Sequence, residues 1–458
     1  MSLRRRFLAL VRESVEGTFA QGRSRQRAEE LLLGSLCAFG RRTVSRSICA
    51  VGRQDQDWSA DYKLYSRSPW EADRQFAPVV KDYLRRHPTG PIVAAMDDTK
   101  YPKSGAHVPG ASWHRDPLSP PFHTNLLFGQ RFIQISLLFP LHEDGEHAAR
   151  AIPVRFVESP VVKKPGKRAS AEAWAAYRQA RRRKNLSTDG VAALRALRAE
   201  LDAAGAAERL LLVSVDGSWC NRTVFRAEVD RIVVVARARK DAVLCWPAPP
   251  GSRRTYDERT FTPEEVRGDA AVPWKVATVF YGGCRRTIRY KELSGVLWRG
   301  GAGKQPLRLL VVAPQPYRRS PNARRLYHEA AYLLTRDLTS RAEDLLQAYL
   351  DRWQIEVNHR DEKDIFGVGQ AQVWSTRSVP RQPAFVVAGY ALLLLAALQE
   401  FGPQRPAACV PLPKWRRNAK RPSALDLLTL LRKEIHESQD SSSLHRTIAS
   451  NTVAYAYT

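Results

Sequence analysis

Tyr349, Arg352, Glu356 and Lys363 stand at offsets of 0, 3, 7 and 14 residues. At about 100° per helical residue they fall near 0°, 300°, 340° and 320°, inside one stripe about 60° wide. A helix so written presents one carboxylate framed by two cations and a phenol, with His359 and Arg360 at its border. Two further acids follow apolar runs: Asp216 follows 210–215, and Asp97 or Asp98 follows 91–96. A carboxylate at the end of a buried strand is held rigidly, its charge at the mouth of a sheet. Three such groups suit hard divalent cations. Two Mg²⁺ ions about 3.5–4 Å apart activate a water and stabilise the leaving oxygen in phosphodiester cleavage, and Mn²⁺ can substitute for them. Arg352 and Lys363 beside such a site would hold flanking phosphates.

Each piece also has a plainer reading. Arg352 and Glu356 at i,i+4 make an ordinary surface ion pair worth roughly 0.3–0.5 kcal/mol. Asp216-Gly217 reads as a turn, and Asp97-Asp98-Thr99 as a turn or a helix cap. Three acids from two strands and one helix, in a very basic chain, favour the metal reading.

The elements that must position these residues follow from patterning. Residues 1–88 read as helical, and Gly40 to Arg46 could open a DNA-contacting helix. The runs 91–96, 131–139, 151–157 and 210–215 read as buried strands. Between them, an Ala-rich helix ends in Arg181-Arg182-Arg183-Lys184. A second helix, capped at Ser187-Thr188-Asp189, runs through Leu194, Leu197 and Leu201. From 225 to 314 the pattern is strand-rich, with turn residues between apolar runs. One long helix is expected from Leu345 to Phe366, burying Leu346, Leu350, Trp353 and Val357. The apolar stretch from Ala384 to Leu398 is shorter than the ~20 residues of a membrane span and reads as a core helix. Residues 403–424 are basic and Pro-rich, and Leu425 to Ile435 forms a short amphipathic helix before a polar tail.

Composition narrows the partners. The 458 residues exceed one ordinary core. Lys plus Arg total 73 against 46 Asp plus Glu, a formal charge of +27. That imbalance calls for a polyanion, and nucleic acid is the usual one. Six scattered cysteines show neither metal spacing nor a disulfide framework. Arg12 and Glu13 end the first apolar run too early for a signal peptide. The expectation is a soluble cytoplasmic protein, nucleoid-associated and without a membrane. His114, His123 and His359 read as solvated or satisfied, not as metal ligands.

Tyr349, Arg352, Glu356 and Lys363 resemble the Y-x2-R-x3-E-x6-K signature of bacterial insertion-sequence transposases of the DDE type. Asp97 to Gly105 is similar to the Asp-Asp-Thr, Pro-Lys and Gly pattern at that family's first catalytic aspartate, and Val215-Asp216-Gly217 resembles its second. The resemblance covers about residues 90–400. It implies an α/β fold: a ribonuclease-H-like mixed sheet flanked by helices, with a strand-rich insertion and a helical N-terminal domain. The corresponding divisions are 1–88 (DNA-binding), 89–224 (first part of the core), 225–314 (insertion), 315–402 (second part, with the Glu356 helix) and 403–458 (basic C-terminal segment). It further implies metal ligation by Asp97, Asp216 and Glu356, and phosphate contacts by Tyr349, Arg352 and Lys363. Double-stranded DNA, as terminal inverted repeats and as target, would be the partner, bound by a homodimer. The implied reaction is hydrolysis at element ends, then attack of the freed 3′-hydroxyl on target DNA. Either Asp97 or Asp98 can be the first ligand; Asp97 is favoured because the family's acid often stands two residues before a Thr. The loop after Gly105, including Asp116-Pro117, departs from the family. No motif carries over an aromatic wedge, and Trp298 reads as a core residue. Two other functions fit the same residues: a DNA-binding protein that does not cut, and a structure-selective nuclease.

Overall fold

Ile92-Val93-Ala94-Ala95-Met96 is an unbroken apolar run, a strand that can bury both faces. In the computed structural model it is the first half of β1 (Ile92–Pro102). The structure describes residues 2–116, 119–120, 122–143, 147–319, 322–416 and 419–438. Pro117, Arg417 and the polar tail beyond 438 lie outside the described residues. β1 is joined by β2 (Ser112–Arg115), β3 (Leu126–Phe139), β4 (Arg150–Glu158), β5 (Leu211–Val215) and β6 (Ile232–Arg237). β1 pairs antiparallel with β3 and parallel with β5, and β5 pairs parallel with β6. β4 pairs antiparallel with β3 on the far side.

The sheet continues as a broad antiparallel half. β7 (Leu244–Pro247), β8 (Tyr256–Phe261), β9 (Lys275–Tyr281), β10 (Cys284–Trp298) and β11 (Gly303–Val312) come from the strand-rich region. A two-stranded hairpin, β12 (Pro316–Tyr317) and β13 (Leu326–Tyr327), stands apart, and β14 (Ala331–Thr335) closes the gap between β6 and β11. The result is one mixed sheet of twelve strands. β6 therefore belongs to the same sheet as β1, and no break in pairing separates the parallel and antiparallel halves.

Helices cover the sheet. At the N-terminus lie α1 (Leu3–Thr18), α2 (Gly22–Cys37), α3 (Val44–Ala50), α4 (Ser59–Ser66) and α5 (Ala77–Arg86). The arginine-rich α6 (Ala171–Arg183) buries no residue. α7 (Leu186–Leu201) is capped not at Ser187 but by Asn185, whose carboxamide accepts from the backbone of Ser187 and Thr188; the Thr188 hydroxyl completes a reciprocal box. Two short helices, α8 (Arg222–Phe225) and α9 (Pro263–Gly268), precede α10 (Ala342–Asp351) and α11 (Trp353–Asp364). α12 (Ser378–Phe401) follows, and α13 (Ala424–His436) ends the described chain. By length and composition α12 could cross a membrane, but its apolar residues are buried. It is the central core helix, packed against α1, α2 and β4, and it begins six residues before the apolar run starts. Trp298 lies partly buried, edge-on to Phe225 at 5.5 Å.

Candidate functional site

Strand parity decides which acids meet. The β1–β5 ladder runs in parallel from Ile92–Leu211 to Met96–Val215. Asp97 and Asp216 are each the next residue, so they leave neighbouring strands at one level. In-register side chains on parallel strands share a face. Ala95, two residues before Asp97, packs in a cluster with Ile355 of α11, and Leu212 packs with Leu345, Leu346 and Ala348 of α10. Asp97 and Asp216 therefore point toward α10 and α11. Asp98 has the opposite parity and lies 3.9 Å from Lys100. Its backbone N–H donates to Asp97 Oδ1 at 2.8 Å. Asp97 does not end its strand: β1 continues to Pro102, held by antiparallel pairing to β3.

The expected single helix is two. α10 ends at Asp351 and α11 starts at Trp353, with Arg352 at the junction. There the Ile355 N–H bonds Arg352 O, three residues back instead of four, a tightened turn of the 3₁₀ kind. The stripe of Tyr349, Arg352, Glu356 and Lys363 is thus divided by the junction. Trp353 is 63% exposed, contrary to the buried stripe expected for it. α11 instead buries Ile355, Asn358, His359 and Glu362, because its inward face meets β1 and β4 at i, i+3, i+4 and i+7.

At the centre, Arg352 joins two carboxylates. Its Nη1 lies 3.3 Å from Glu356 Oε1 and 3.6 Å from Asp97 Oδ2. The Arg352 and Asp97 side chains are almost wholly buried, whereas that of Glu356 is 38% exposed. Burial pushes the Asp97 carboxyl up to about 6, while nearby His359 and Arg352 pull it down and Glu356 and Asp98 push it up. Tyr349 lies with Arg237, Arg352 and Asp216 as its charged neighbours; burial raises its phenol, which stays protonated. Lys363 stands farther along, its ammonium 5.6 Å from the centre of the Tyr101 ring. The structure thus gathers Asp97, Glu356 and Arg352, sets Asp216 and Tyr349 beside them, turns Asp98 away and leaves Lys363 at the margin.

A buried polar layer beneath the acids was not read from the sequence. Tyr101, on the same face of β1 as Asp97, donates to Glu362 Oε2 at 2.8 Å. Glu362 is fully buried and 3.6 Å from His359 Nδ1. His359 is only 5% exposed, and neither ring nitrogen has a hydrogen-bond partner in the structure. It is buried rather than solvated, and its partner is the Glu362 carboxylate. The signal was present: Ile355, Asn358, His359 and Glu362 occupy the helical spacing of a core face, and three of them are polar.

Among the described residues no three His, Cys, Asp or Glu side chains already stand as a metal-binding group. The donor chemistry nevertheless fits a hard divalent cation: Asp97 and Asp216 offer carboxylate oxygens from neighbouring strands and Glu356 from the helix over them. Burial is the main cause of the raised Asp97 carboxyl, with His359 and Arg352 already opposing it. Arg352 now supplies the cation between Asp97 and Glu356, so a metal ion there requires the guanidinium to move.

Comparison with known proteins adds a lineage. Residues 16–305 match the family described as DDE superfamily endonuclease. The matched span includes Asp97 and Asp216 and ends before Glu356. Among solved structures, a cryo-EM structure of the piggyBac transposase synaptic complex with hairpin DNA aligns over 94% of this chain and 76% of that chain. The identity is 9% and the TM-score 0.34, a likeness too slight to carry an inference. No curated protein matches.

Proposed function

Because the chain belongs to the DDE superfamily of endonucleases, we propose that it is a DNA transposase, cutting the ends of its element and joining the freed 3′-hydroxyls to target DNA. The observation that carries this is the parallel register ending at Met96–Val215. It aims Asp97 and Asp216 at the helix bearing Glu356. The strand order β4-β3-β1-β5-β6, with β3 antiparallel to both neighbours, supports a ribonuclease-H-like core. On this reading 1–88 and 403–458 contact DNA, the antiparallel strands that follow β6 within 225–314 are inserted in the core, and two protomers pair two ends.

Asp97, Asp216 and Glu356 would hold divalent cations, Mg²⁺ or Mn²⁺, which supply a hydroxide at neutral pH and stabilise the leaving oxygen. Arg352 takes the scissile or adjacent phosphate through its planar fork, releasing the two carboxylates as it turns. Lys363 holds a phosphate one step farther along the strand. Tyr349, protonated, donates to a phosphate oxygen beside Asp216. The buried Tyr101–Glu362–His359 layer keeps α11 fixed against β1, so that Glu356 and Asp97 keep their separation.

The test is a DNA fragment carrying the inverted repeats that flank the reading frame, incubated with Mg²⁺ or Mn²⁺. Cutting at the repeat ends and joined strand-transfer products are expected from the wild-type chain. Asp216→Ala and Glu356→Ala should bind the same fragment without cutting it. Metal-dependent cutting that survives both substitutions removes the site assignment; nicks without joined products reduce the chain to a nuclease.

A further inference from the structure

Beside Arg352 the sheet edge opens into a cleft of about 1280 Å³. One wall is the tip of the β9–β10 hairpin, where Gly282 and Gly283 both adopt positive φ and the Arg286 guanidinium lies alongside. The facing wall is the β12–β13 hairpin. Tyr317 and His328 stack there with centroids 4.2 Å apart and planes 23° from parallel. His328 is exposed. Tyr349, Arg352 and the exposed Trp353 line the same cleft.

Its charge is one-sided. Beyond Arg352, the cleft is lined by Arg237, Arg286, Arg318, Arg319 and Arg325. The acids that line it are Asp351 and Glu329. Asp351 is already engaged by His142 Nε2 at 3.0 Å and by Gln347. Phosphates need cations, and five arginines supply them. Phosphates do not need rings. A duplex presents its base faces only to each other, so an accessible Tyr–His stack and a Trp indole gain nothing from it by stacking. An unpaired strand offers both a backbone and free base faces, and grooves that bind one combine cations with aromatic platforms.

We propose that this cleft binds a single DNA strand of about four nucleotides, a length at the lower end of single-strand binding sites, continuing from the phosphate held by Arg352. The inference rests on the DNA-processing reading of the carboxylate site and adds a substrate class to it: an end whose strands are separated. Bases stack on Tyr317–His328 and on Trp353, and Arg286, Arg318 and Arg325 bind the phosphates between them.

The full chain is titrated by fluorescence anisotropy, without divalent metal, against a labelled duplex and the same duplex carrying a ten-nucleotide single-stranded tail. The tail should tighten binding by about 10-fold or more, the scale of stacking one or two bases. Tyr317→Ala with His328→Ala should remove most of that increment and leave blunt-duplex affinity within about twofold. Unchanged blunt-duplex binding also shows that the variant is folded. Arg318→Ala with Arg325→Ala should lower the salt slope for the tailed DNA by about 1–1.5, at ~0.7 per single-strand phosphate contact. A tail that adds no affinity, or an increment that survives the aromatic substitutions, overturns the proposal. Cleavage of the duplex is assayed on the same preparation. Tail binding without cleavage would count against the transposase reading and not against the cleft; cleavage without tail binding does the reverse.

Discussion

Asp97 and Asp216 each follow five strand residues that are largely or wholly buried, whereas Arg286, Arg318 and Arg325 are exposed, on or beside the β9–β10 and β12–β13 hairpins. The parallel half of the sheet therefore places negative charge where water is scarce. Those cleft arginines keep their positive charge hydrated, although Lys291 and Arg308 of the antiparallel half are buried. An acid that must sit within bond length of a cation needs a rigid mount, and rigidity brings burial and an unfavourable charge; Asp97 at about 6 shows that cost. A cation that meets a polyanion needs only to be within reach and can stay in water until the phosphate arrives. Arg352 belongs to neither class. It is a buried arginine that balances the acids, and on the proposed function it would turn to phosphate when DNA enters.

Several changes would break or sharpen that contrast. Removing a carboxylate should matter most: Glu356→Ala or Asp216→Ala should lower cutting by at least about 100-fold, since even second-shell changes at metal sites cost 10–100-fold. Quantitative cleavage assays read this, and residual activity within tenfold of wild type would argue against metal ligation there. Next, Arg352→Gln should tighten Mn²⁺ binding to the DNA-free chain by about 10-fold, one unit of the 1–3 pKa units that an adjacent arginine is worth to an acid. Calorimetry that finds equal or weaker binding would show that Arg352 is not the competing cation.

Asp97→Asn tests the cost of the rigid mount. The folded carboxyl titrates above its ordinary value, 3.8 rising to about 6. The native state thus keeps its proton to higher pH than the unfolded chain does. Stability falls as pH rises from about 4 through about 6, and the deficit is complete above that window. Asp97→Asn should stabilise the metal-free protein by about 1–3 kcal/mol at pH 8, and the gain should vanish near pH 3. Chemical denaturation at both pH values measures it; a loss of stability at pH 8 contradicts the burial account. The smallest effect is expected at the margin, where Lys363→Ala should weaken duplex binding alike for all sequences and lower the salt slope by about 1.

Part of this was legible before any coordinates. The runs 91–96 and 210–215 read as buried strands, the stretch 384–398 read as a core helix, and the acids after the two strands stood out by type. The break at Arg352 was not legible, because residues 345–366 keep a helical pattern across it and one tightened turn leaves no mark in periodicity. Trp353 looked buried because it is apolar, but the inward face of α11 was taken by Asn358, His359 and Glu362. β6 and β14 enter the same sheet as the acids, and pairing between strands so far apart in the chain is not a property of either segment.

The choice between Asp97 and Asp98 shows where the division falls. By itself the sequence determined the chemistry on offer: three hard acids, an arginine and a phenol at helical spacing, and a surplus of 27 positive charges. These follow from residue type and local period, which the chain carries with it. Adjacent acids differ by one residue, and strand side chains alternate, so everything turned on which face met α10 and α11. Only the β1–β5 register set that, and register is a contact between segments more than a hundred residues apart.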